Sequence, residues 1–288
     1  MSTPTPAETG KATVPSLDRL LAATDALPTL PQVVSHILET LDDESADADA
    51  LVHHLNTDPA IVARLLSAAN SSAFGLSAPV TSTRQAILVL GLSTVRTITL
   101  ATALIERLGQ VGRDGRQLWR HSIGVAACAR SIAEHVGYDP ETAFSAGLLH
   151  DIGQLLMAAV APEAVARAME HAASEQLSSV AAEQTVFGYD HAIVGAELAR
   201  QWNLPHDIIC GIHAHHLPDS GEDGEIGDLI HLAEVLCHAL DLGAAKSNRV
   251  PDVSELALLR LGLSWPALTP RFPAIGARYR GICLALGL

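Results

Sequence analysis

The chain has 288 residues, which is enough for one large domain or two modest ones. Hydrophobic residues make up 48% of it and aromatic residues only 3%, and an apolar set dominated by Leu and Ala favours closely packed helices. The net charge of −14 and the lack of a basic run exclude a general nucleic-acid binder, because phosphate contacts need clustered Lys and Arg. No apolar stretch approaches the roughly 20 residues of a membrane span, so we expect neither nucleic acid nor membrane as a direct partner.

The chain begins with a segment that has no helical pattern. Residues 1–16 are rich in Thr, Pro, Ala and Gly and are predicted to be a disordered tail. They contain no apolar core, so no secretory signal is expected and the protein is predicted to be cytoplasmic. Four cysteines lie far apart in the sequence: Cys128, Cys210, Cys237 and Cys283. They form no CxxC pair, and we therefore expect reduced core thiols in a reducing compartment.

Short helical patterns follow in chain order. An apolar helical stripe begins after Pro31. Asp58-Pro59 predicts a helix start, because Asp caps exposed N–H groups and Pro is favoured at the first helical position. A later helix is predicted to stop at Gly91, and the chain then restarts as a longer helix. These patterns predict an N-terminal helical subdomain over residues 17–108.

A glycine-rich segment, residues 109–115, predicts a linker to a second helical subdomain over residues 114–242. Helical patterns continue to the end of the chain, at about 117–136, 140–158, 161–175, 178–187, 190–202, 206–216, 226–242, 252–261 and 274–285. No strand alternation persists for more than a few residues. The sequence therefore predicts an all-α protein made of two packed helical subdomains.

Residues 243–288 are predicted to form a C-terminal helical extension. Trp265, Phe272 and Tyr279 are the expected anchors of this extension against the core. The alternative is that the extension forms a surface on which a partner docks.

Fourteen histidines is a high number for this length, and those in the second half are grouped with carboxylates. The candidates are His121, His150-Asp151, His191, His213, His215-His216, and His231 with Glu234. Imidazole and carboxylate are the ligands expected around iron, manganese or a similar divalent ion. Adjacent residues point about 100° apart on a helix, yet His150 and Asp151 can converge on a metal that lies between helices. Such a centre would activate water for attack on a phosphate ester.

Each candidate also has a structural interpretation. By spacing alone, His150-Asp151 is more typical of a polar pair inside a helix that is hydrogen-bonded to a neighbouring helix. His215-His216 is compatible with a solvated helix end, where the helix dipole favours His. Seven other histidines are assigned to packing or to the surface: His36, His53, His54, His135, His171, His206 and His238.

Ordered motifs over most of the chain resemble a known family. Three segments of the chain resemble the first half of an HDOD domain: LPTLPQVVSHILETL, LNTDPAIVARLLSAANSSAFG and TSTRQAILVLGLSTVRTITLATAL. Three later segments resemble its second half: LWRHSIGVAACARSIAEHVGYDPETAFSAGLLHDIGQLLM, DHAIVGAELARQWNLP and AHH. The resemblance covers residues 17–242 and implies an all-α, HD-domain-like helical bundle with an N-terminal helical subdomain. It also implies a bacterial signalling protein, because HDOD domains are usually regarded as regulatory relatives of HD and HD-GYP phosphohydrolases.

By this resemblance, the metal ligands of the enzymatic relatives correspond to seven positions in this chain. They are His121, His150, Asp151, His191, His215, His216 and, where the relatives carry Asp, Glu234. The implied cofactor is one or two divalent ions of iron or manganese. The chain departs from the enzymes at Gln154, where they usually have Lys, so a cation for substrate phosphate is lost. Leu217 and Pro218 follow the paired histidines, and no GYP motif occurs.

Three functions remain open after this comparison of residues. The first is a regulatory module that contacts other signalling proteins and whose histidines bind a structural metal or none. The second is a metal-dependent phosphohydrolase acting on a nucleotide or cyclic dinucleotide, and the third is a sensor that binds a nucleotide without cleaving it. If the histidines bind metal, we expect its affinity to fall between about pH 7 and about pH 5, because clustered imidazoles take up protons there.

Overall fold

The computed structural model describes most of the chain, namely residues 14–23, 48–70, 79–108, 115–202, 204–218, 224–243 and 249–288. Within these stretches every regular element is a helix, which confirms the predicted all-α class. Three predicted features lie outside the described residues: most of the N-terminal tail, the helix after Pro31, and nearly all of the linker at 109–115.

The first half of the described chain contains the helices α1 (Leu17–Ala22), α2 (Ala48–Leu55), α3 (Pro59–Ala69) and α4 (Thr83–Leu108). Asp58 begins α3 as predicted, since its carboxylate accepts hydrogen bonds from the N–H groups of Ala60 at 2.9 Å and Ile61 at 3.3 Å. Gly91 has a φ of 74°, a left-handed conformation that favours glycine, and it interrupts α4 where a stop was predicted. Two helical segments therefore meet at Gly91.

The second half contains the helices around the histidine motifs: α5 (Gly115–Val136), α6 (Pro140–Leu149), α7 (Ile152–Val160), α8 (Pro162–Glu175), α9 (Ser179–Phe187), α10 (His191–Gln201), α11 (His206–Ala214) and α12 (Gly224–Ala239). The prediction of one helix over 140–158 is wrong, because the chain leaves helical geometry at Asp151, whose φ and ψ are −100° and 12°. Helix α7 instead turns to pack on α10, where Gly153 lies directly against the backbone of His191.

Helix α5 lies at the centre of this half and packs against α6, α12 and the C-terminal helix. Small side chains allow α5 and α6 to approach each other closely. A Cβ atom at Gly147 of α6 would lie only 2.9 Å from the Cα atom of Ala126 on α5. Ile123 and Ile132 of α5 are also fully buried. All four cysteines are buried and form no disulfide, as predicted.

The chain ends with the helices α13 (Glu255–Arg260), α14 (Trp265–Leu268) and α15 (Phe272–Leu286). Helix α15 packs against α5, α3 and α4. Tyr279 is buried, and Trp265 and Phe272 are half-buried against the core, so the predicted anchors do contact it. The guanidinium of Arg64 on α3 donates a hydrogen bond to the carbonyl of Leu286 at 3.0 Å. The C-terminal helix is thus attached to both halves of the chain.

One stretch among the described residues has the length and apolar composition of a membrane span. It is Pro140–Val160, which comprises α6 and α7. Of its most apolar window, 78% is buried inside the protein, as expected of core helices in a globular fold. The stretch is therefore weak evidence for a membrane contact.

Candidate metal centre

The break between α6 and α7 places two adjacent polar side chains in the protein interior. His150 follows the last residue of α6 and is fully buried, and Asp151 precedes α7 with a side chain that is 6% exposed. Nδ1 of His150 donates a hydrogen bond to the carbonyl of Gly147 at 2.8 Å. The change of backbone direction at Asp151 lets both side chains face the same space between helices.

Both carboxylate oxygens of Asp151 face imidazole nitrogens. Oδ2 lies 3.3 Å from Nε2 of His150 and 3.8 Å from Nε2 of His121. Oδ1 lies 3.2 Å from Nε2 of His191 and 3.8 Å from Nε2 of His215. Asp151 therefore stands between two pairs of imidazoles, and these come from helices or helix ends that are far apart in the sequence.

Two of these imidazole rings, those of His150 and His215, are held by hydrogen bonds on the side that faces away from Asp151. Nδ1 of His150 and Nδ1 of His215 donate to main-chain carbonyls, those of Gly147 and Ile212, at 2.8 and 2.7 Å. Because a carbonyl only accepts, each neutral ring carries its proton on Nδ1 and a lone pair on Nε2. Both Nε2 atoms are buried without a well-aligned hydrogen-bond partner. The lone pair of neutral His215 is directed at the carboxylate of Asp151, which is repulsive unless a cation lies between them, so the arrangement fits a bound metal ion. At His150 a proton fills this position without metal, and a metal ion would displace it.

His191 is supported by a carboxylate. Its Nδ1 lies 2.6 Å from Oε2 of Glu183, and its main-chain N–H donates to the same oxygen at 2.9 Å. On the other side of the ring, Nε2 lies 3.0 Å from Nε2 of His216. A carboxylate behind an imidazole orients a metal-binding His and makes it a stronger ligand. Glu183 is not among the predicted site residues, because an acidic residue in the preceding helix carries no signal of this contact.

The partly exposed side of the cluster is formed by His121, His216 and two residues of α12. Glu234 and His238 are four residues apart and share a face of α12. Ligand atoms of His121, Glu234 and His238 all lie within 4.8 Å of one another, and Oε2 of Glu234 is 3.9 Å from Nδ1 of His216. His238, which was assigned to packing or the surface, packs beside His121, with a distance of 5.0 Å between the ring centroids. Its spacing from Glu234 is the signal that could have identified it.

Two other candidates lie outside the cluster. Nδ1 of His231 donates to the carbonyl of His215 at 3.1 Å, and the N–H of Ser254 approaches its Nε2 at 3.4 Å. His231 thus connects α12 to the turn after α11 through the main chain of His215, without taking part in the cluster. His213 belongs to no group of ligand atoms within the part of the chain that the structure describes. All seven predicted ligand residues are brought together, and their binding of metal stays a prediction.

Three imidazoles of the cluster are held neutral. Burial, aided by the charge of the neighbouring His150, lowers the pKa of His121 to about 3. Burial and the proximity of His191 lower the pKa of His216 to about 3. The pKa of His215 is also far below its ordinary value, through burial and repulsion from the surrounding rings. These rings offer lone pairs at neutral pH.

Opposite charges shift the pKa values of His191, His150 and Asp151, whereas burial shifts that of Glu234. Burial alone would lower the pKa of His191, but its hydrogen bonds to Asp151 and Glu183 outweigh burial and hold it well above the ordinary value. Burial would also lower the pKa of His150, but the charges of Asp151 and Glu234 and the hydrogen bonds to Asp151 and Gly147 together raise it. Asp151 has a pKa well below its usual range, since these two rings overcome the effect of burial. Burial raises the pKa of Glu234 to about 7.

A family model of the HDOD domain matches residues 27–218, more than half of the chain. The chain belongs to the HDOD domain family. An uncharacterized protein of Treponema pallidum (strain Nichols) is 26% identical over 202 residues, which are 69% of this HDOD chain and 39% of the relative. Ribonuclease Y of Mycoplasma mycoides is 29% identical over 150 residues, which are 50% of this chain and 29% of the enzyme. The chain thus spans less than half the length of these curated relatives.

Two solved structures share the fold of this HDOD chain. A candidate phosphohydrolase from Shewanella amazonensis SB2B has a TM-score of 0.76 and 26% identity, over 93% of this chain and 97% of that one. An HDOD domain protein of unknown function from Geobacter sulfurreducens has a TM-score of 0.74 and 26% identity, over 92% and 97% of the two chains. The HD-like helical bundle expected from the resemblance is confirmed.

One departure from the enzymatic relatives lies directly beside Asp151. Gln154, at the position where those relatives usually have Lys, donates from Nε2 to Oδ1 of Asp151 at 2.9 Å. The amide occupies one acceptor position of the carboxylate. It is neutral, so it supplies no positive charge to a phosphate group.

We expect metal affinity of the HDOD cluster to decrease with falling pH, starting above the ordinary His pKa of 6.5. His191 and His150 hold protons in the metal-free state because their pKa values are raised, and a metal ion must displace these protons. Below the raised pKa values, each displaced proton weakens affinity about tenfold per pH unit. Metal affinity should therefore begin to fall at a higher pH than the sequence alone predicts. Calorimetric titration of Mn²⁺ in buffers of different ionisation enthalpy measures both affinity and proton release.

An affinity that stays constant from about pH 8 to about pH 5 would contradict ligation by these imidazoles. Proton release that increases toward acidic pH, together with weakening affinity, is the expected result.

Replacing Glu183 by Gln should weaken Mn²⁺ binding about 10- to 100-fold while the protein stays folded. The amide keeps a hydrogen bond to Nδ1 of His191 but removes the charge that raises the pKa of this ring, so proton release on binding should also decrease. Glu197→Gln is the matched control, because Glu197 is an exposed carboxylate that pairs with Arg200 on the surface of α10. Calorimetry on both variants measures the number of protons released on metal binding. If Glu183→Gln weakens binding but releases as many protons as the wild type, Glu183 has only a structural role and the expected effect on His191 is contradicted.

Proposed function

We propose that this chain is an HDOD signalling module that binds one or two divalent ions, iron or manganese, in its cluster of histidines and carboxylates. The observation that carries the proposal is the direction of two buried Nε2 atoms, those of His150 and His215, toward the carboxylate of Asp151. A set of imidazoles and carboxylates suits iron and manganese. The proposed ligands are His121, His150, Asp151, His191, His215, His216 and Glu234, with His238 beside them.

A divalent ion in this cluster would supply positive charge and Lewis acidity toward water or a phosphate group. The protein's own contribution is orientation. Carbonyls hold the rings of His150 and His215, and Glu183 holds the ring of His191. The proposed ligands lie on or next to α5, α6, α7, α10, α11 and α12, so binding would tie these helices together.

We propose that the output of the module is contact with other signalling proteins in the bacterial cytoplasm, with little turnover. The neutral side chain of Gln154 supports this, because it replaces a cation that would hold substrate phosphate. Full burial of His150, His191 and His215 also suits a structural site, because most of the ligand set lies away from solvent. Metal binding would then control which arrangement of helices is presented to a partner.

A metal-dependent phosphohydrolase is the second candidate function. The observation that favours it is the position of Asp151, whose two oxygens each face a separate pair of imidazoles and so offer places for two ions. His121 and His216 lie on the partly exposed side, where a nucleotide or cyclic dinucleotide would approach. A nucleotide that binds there without being cleaved would make the protein a sensor.

Metal analysis followed by hydrolysis assays separates these functions. The chain is purified with and without oxygen, its iron and manganese are quantified, and it is incubated with cyclic di-GMP and with bis(4-nitrophenyl) phosphate. The regulatory proposal predicts bound iron or manganese in stoichiometric amount and no turnover above that of the metal-free protein. Turnover that is lost in Asp151→Ala would establish the hydrolase instead. Metal-free and inert protein from both preparations would contradict both functions.

A further inference from the structure

A cavity of about 310 Å³ lies apart from the histidine cluster, between α3, α4, α5 and α15. It opens to solvent on one side, and its volume lies at the lower end of the range of small-molecule sites, which begins at about 300 Å³. The cavity is bounded by the N-terminal helices on one side and the C-terminal helix on the other. None of the residues proposed to bind metal lines it.

Small side chains on one face of α15 create the space. Ala274, Ala277 and Gly281 follow a spacing of three and four residues and all line the cavity. Opposite them, Leu90 of α4 and Ala68 of α3 form an apolar wall. Helix α15 also contacts α3, α4 and α5, so it is held in place around the cavity.

Two guanidinium groups enter this otherwise apolar lining. Arg130 comes from α5 and Arg278 from α15. Nε of Arg130 and Nη2 of Arg278 lie 3.2 and 3.5 Å from the same oxygen, Oε1 of Glu134. The two groups therefore reach the cavity at the same point of its wall.

Both guanidiniums belong to a wider network of ion pairs. Glu134 also pairs with Arg271 at 3.3 Å, and Arg130 also pairs with Glu141 at 2.9 Å. In the ion pairs among the described residues, three guanidiniums share two carboxylates, in a chain whose net charge is −14. Burial and the charge of Arg130 lower the pKa of Arg278, and the carboxylates of Glu134 and Glu141 offset these effects only in part. An added anion would relieve that repulsion.

We infer that this cavity binds a small organic anion, with its carboxylate or phosphate against Arg130 and Arg278 and its apolar body against α3, α4 and α15. Guanidinium groups bind both head groups through paired, charge-assisted hydrogen bonds. A mainly apolar lining with a few convergent polar groups is the usual composition of a small-molecule site. The inference goes beyond the proposed function and does not depend on metal. Because α5 carries both Arg130 and His121, a ligand here contacts the helix that also contributes to the metal cluster.

Calorimetry with phenyl phosphate, benzoate and the uncharged comparator phenol tests the inference on the full chain after treatment with EDTA. We expect saturable binding of at least one anion, and whichever anion binds identifies the head group. Arg278→Gln should weaken that binding about tenfold or more, because a hydrogen bond to a charged group is lost. Arg280→Gln is the matched control, since Arg280 is exposed on the same helix, and it should bind as the wild type does.

Ala277→Leu tests the cavity without changing any charge. The larger side chain should fill the space, abolish anion binding and leave the melting temperature unchanged or higher. Asp151→Asn should bind the anion normally, and loss of binding in that variant would place the anion at the histidine cluster and overturn the inference. Failure of both anions to bind the wild type, or equal binding by wild type and Ala277→Leu, would also overturn it.

Discussion

Replacing Asp151 by Asn should reduce metal affinity by more than about 100-fold, since even supporting residues around a metal site contribute 10- to 100-fold. The carboxylate faces four Nε2 atoms at 3.2–3.8 Å, and it is the charged group that both pairs of imidazoles share. An amide of the same shape removes that charge. Its NH₂ group can donate to an imidazole lone pair, so we expect the metal-free variant to stay folded.

Asp139→Asn is the matched control for this variant. Asp139 precedes α6 as Asp151 precedes α7, and its Oδ2 accepts a hydrogen bond from the N–H of Thr142 at 2.7 Å, away from the cluster. Asn caps helices about as well as Asp, so the control should bind metal normally. Mn²⁺ at 100 times its dissociation constant should stabilise wild type and control by about 2.7 kcal/mol, but not Asp151→Asn. Affinity of Asp151→Asn within tenfold of the wild type would show that the metal lies elsewhere.

Replacing Gly153 by Ala should destabilise the protein by about 3 kcal/mol or more, a large effect for one methyl group. The added Cβ would lie 2.0 Å from the carbonyl oxygen of His191 and 2.8 Å from the main-chain nitrogen of Gly195. Both contacts are with backbone, so α7 and α10 must separate. This movement would also draw Asp151 away from His191, and metal affinity should fall together with stability.

Gly276→Ala is the control, because Gly276 also lies within a helix and a Cβ there would meet only the flexible end of Arg280, at 3.2 Å. Ala is favoured over Gly inside helices, so this variant should gain about 0.5–1 kcal/mol. Urea denaturation of both variants gives the two free energies of unfolding. A Gly153→Ala protein as stable as the wild type would contradict the close contact between α7 and α10.

Local signals in the sequence were sufficient for much of the fold. Asp58-Pro59 marked the start of α3, and Gly91 marked the interruption of α4, because each acts on its own backbone neighbours. The break between α6 and α7 was not predictable in this way. Apolar residues continue through it on both sides, and its cause is the packing of Gly153 against α10, a contact between residues distant in sequence.

The candidate site, too, was predictable only where the information is local in the sequence or comes from the family resemblance. The resemblance to HD enzymes identified the predicted ligands, but the sequence alone did not show that Glu183 supports His191 or that His238 lies beside His121. Both relations depend on how helices pack, and a single acidic or imidazole side chain on a helix is usually on the surface. The spacing of Glu234 and His238 was the one local hint, and it gains meaning only once α12 is placed beside α5.

X-ray absorption at the metal edge of the chain loaded with iron or manganese tests the central claim most directly. We expect nearest neighbours that are nitrogen and oxygen, outer-shell scattering from several imidazole rings, and loss of that scattering in Asp151→Asn. Sulfur among the nearest neighbours would contradict it by implicating Cys237, whose Sγ lies 3.9 Å from Nδ1 of His121. A shell of oxygen alone, with no imidazole scattering, would equally contradict it, since the ion would then lie on surface carboxylates.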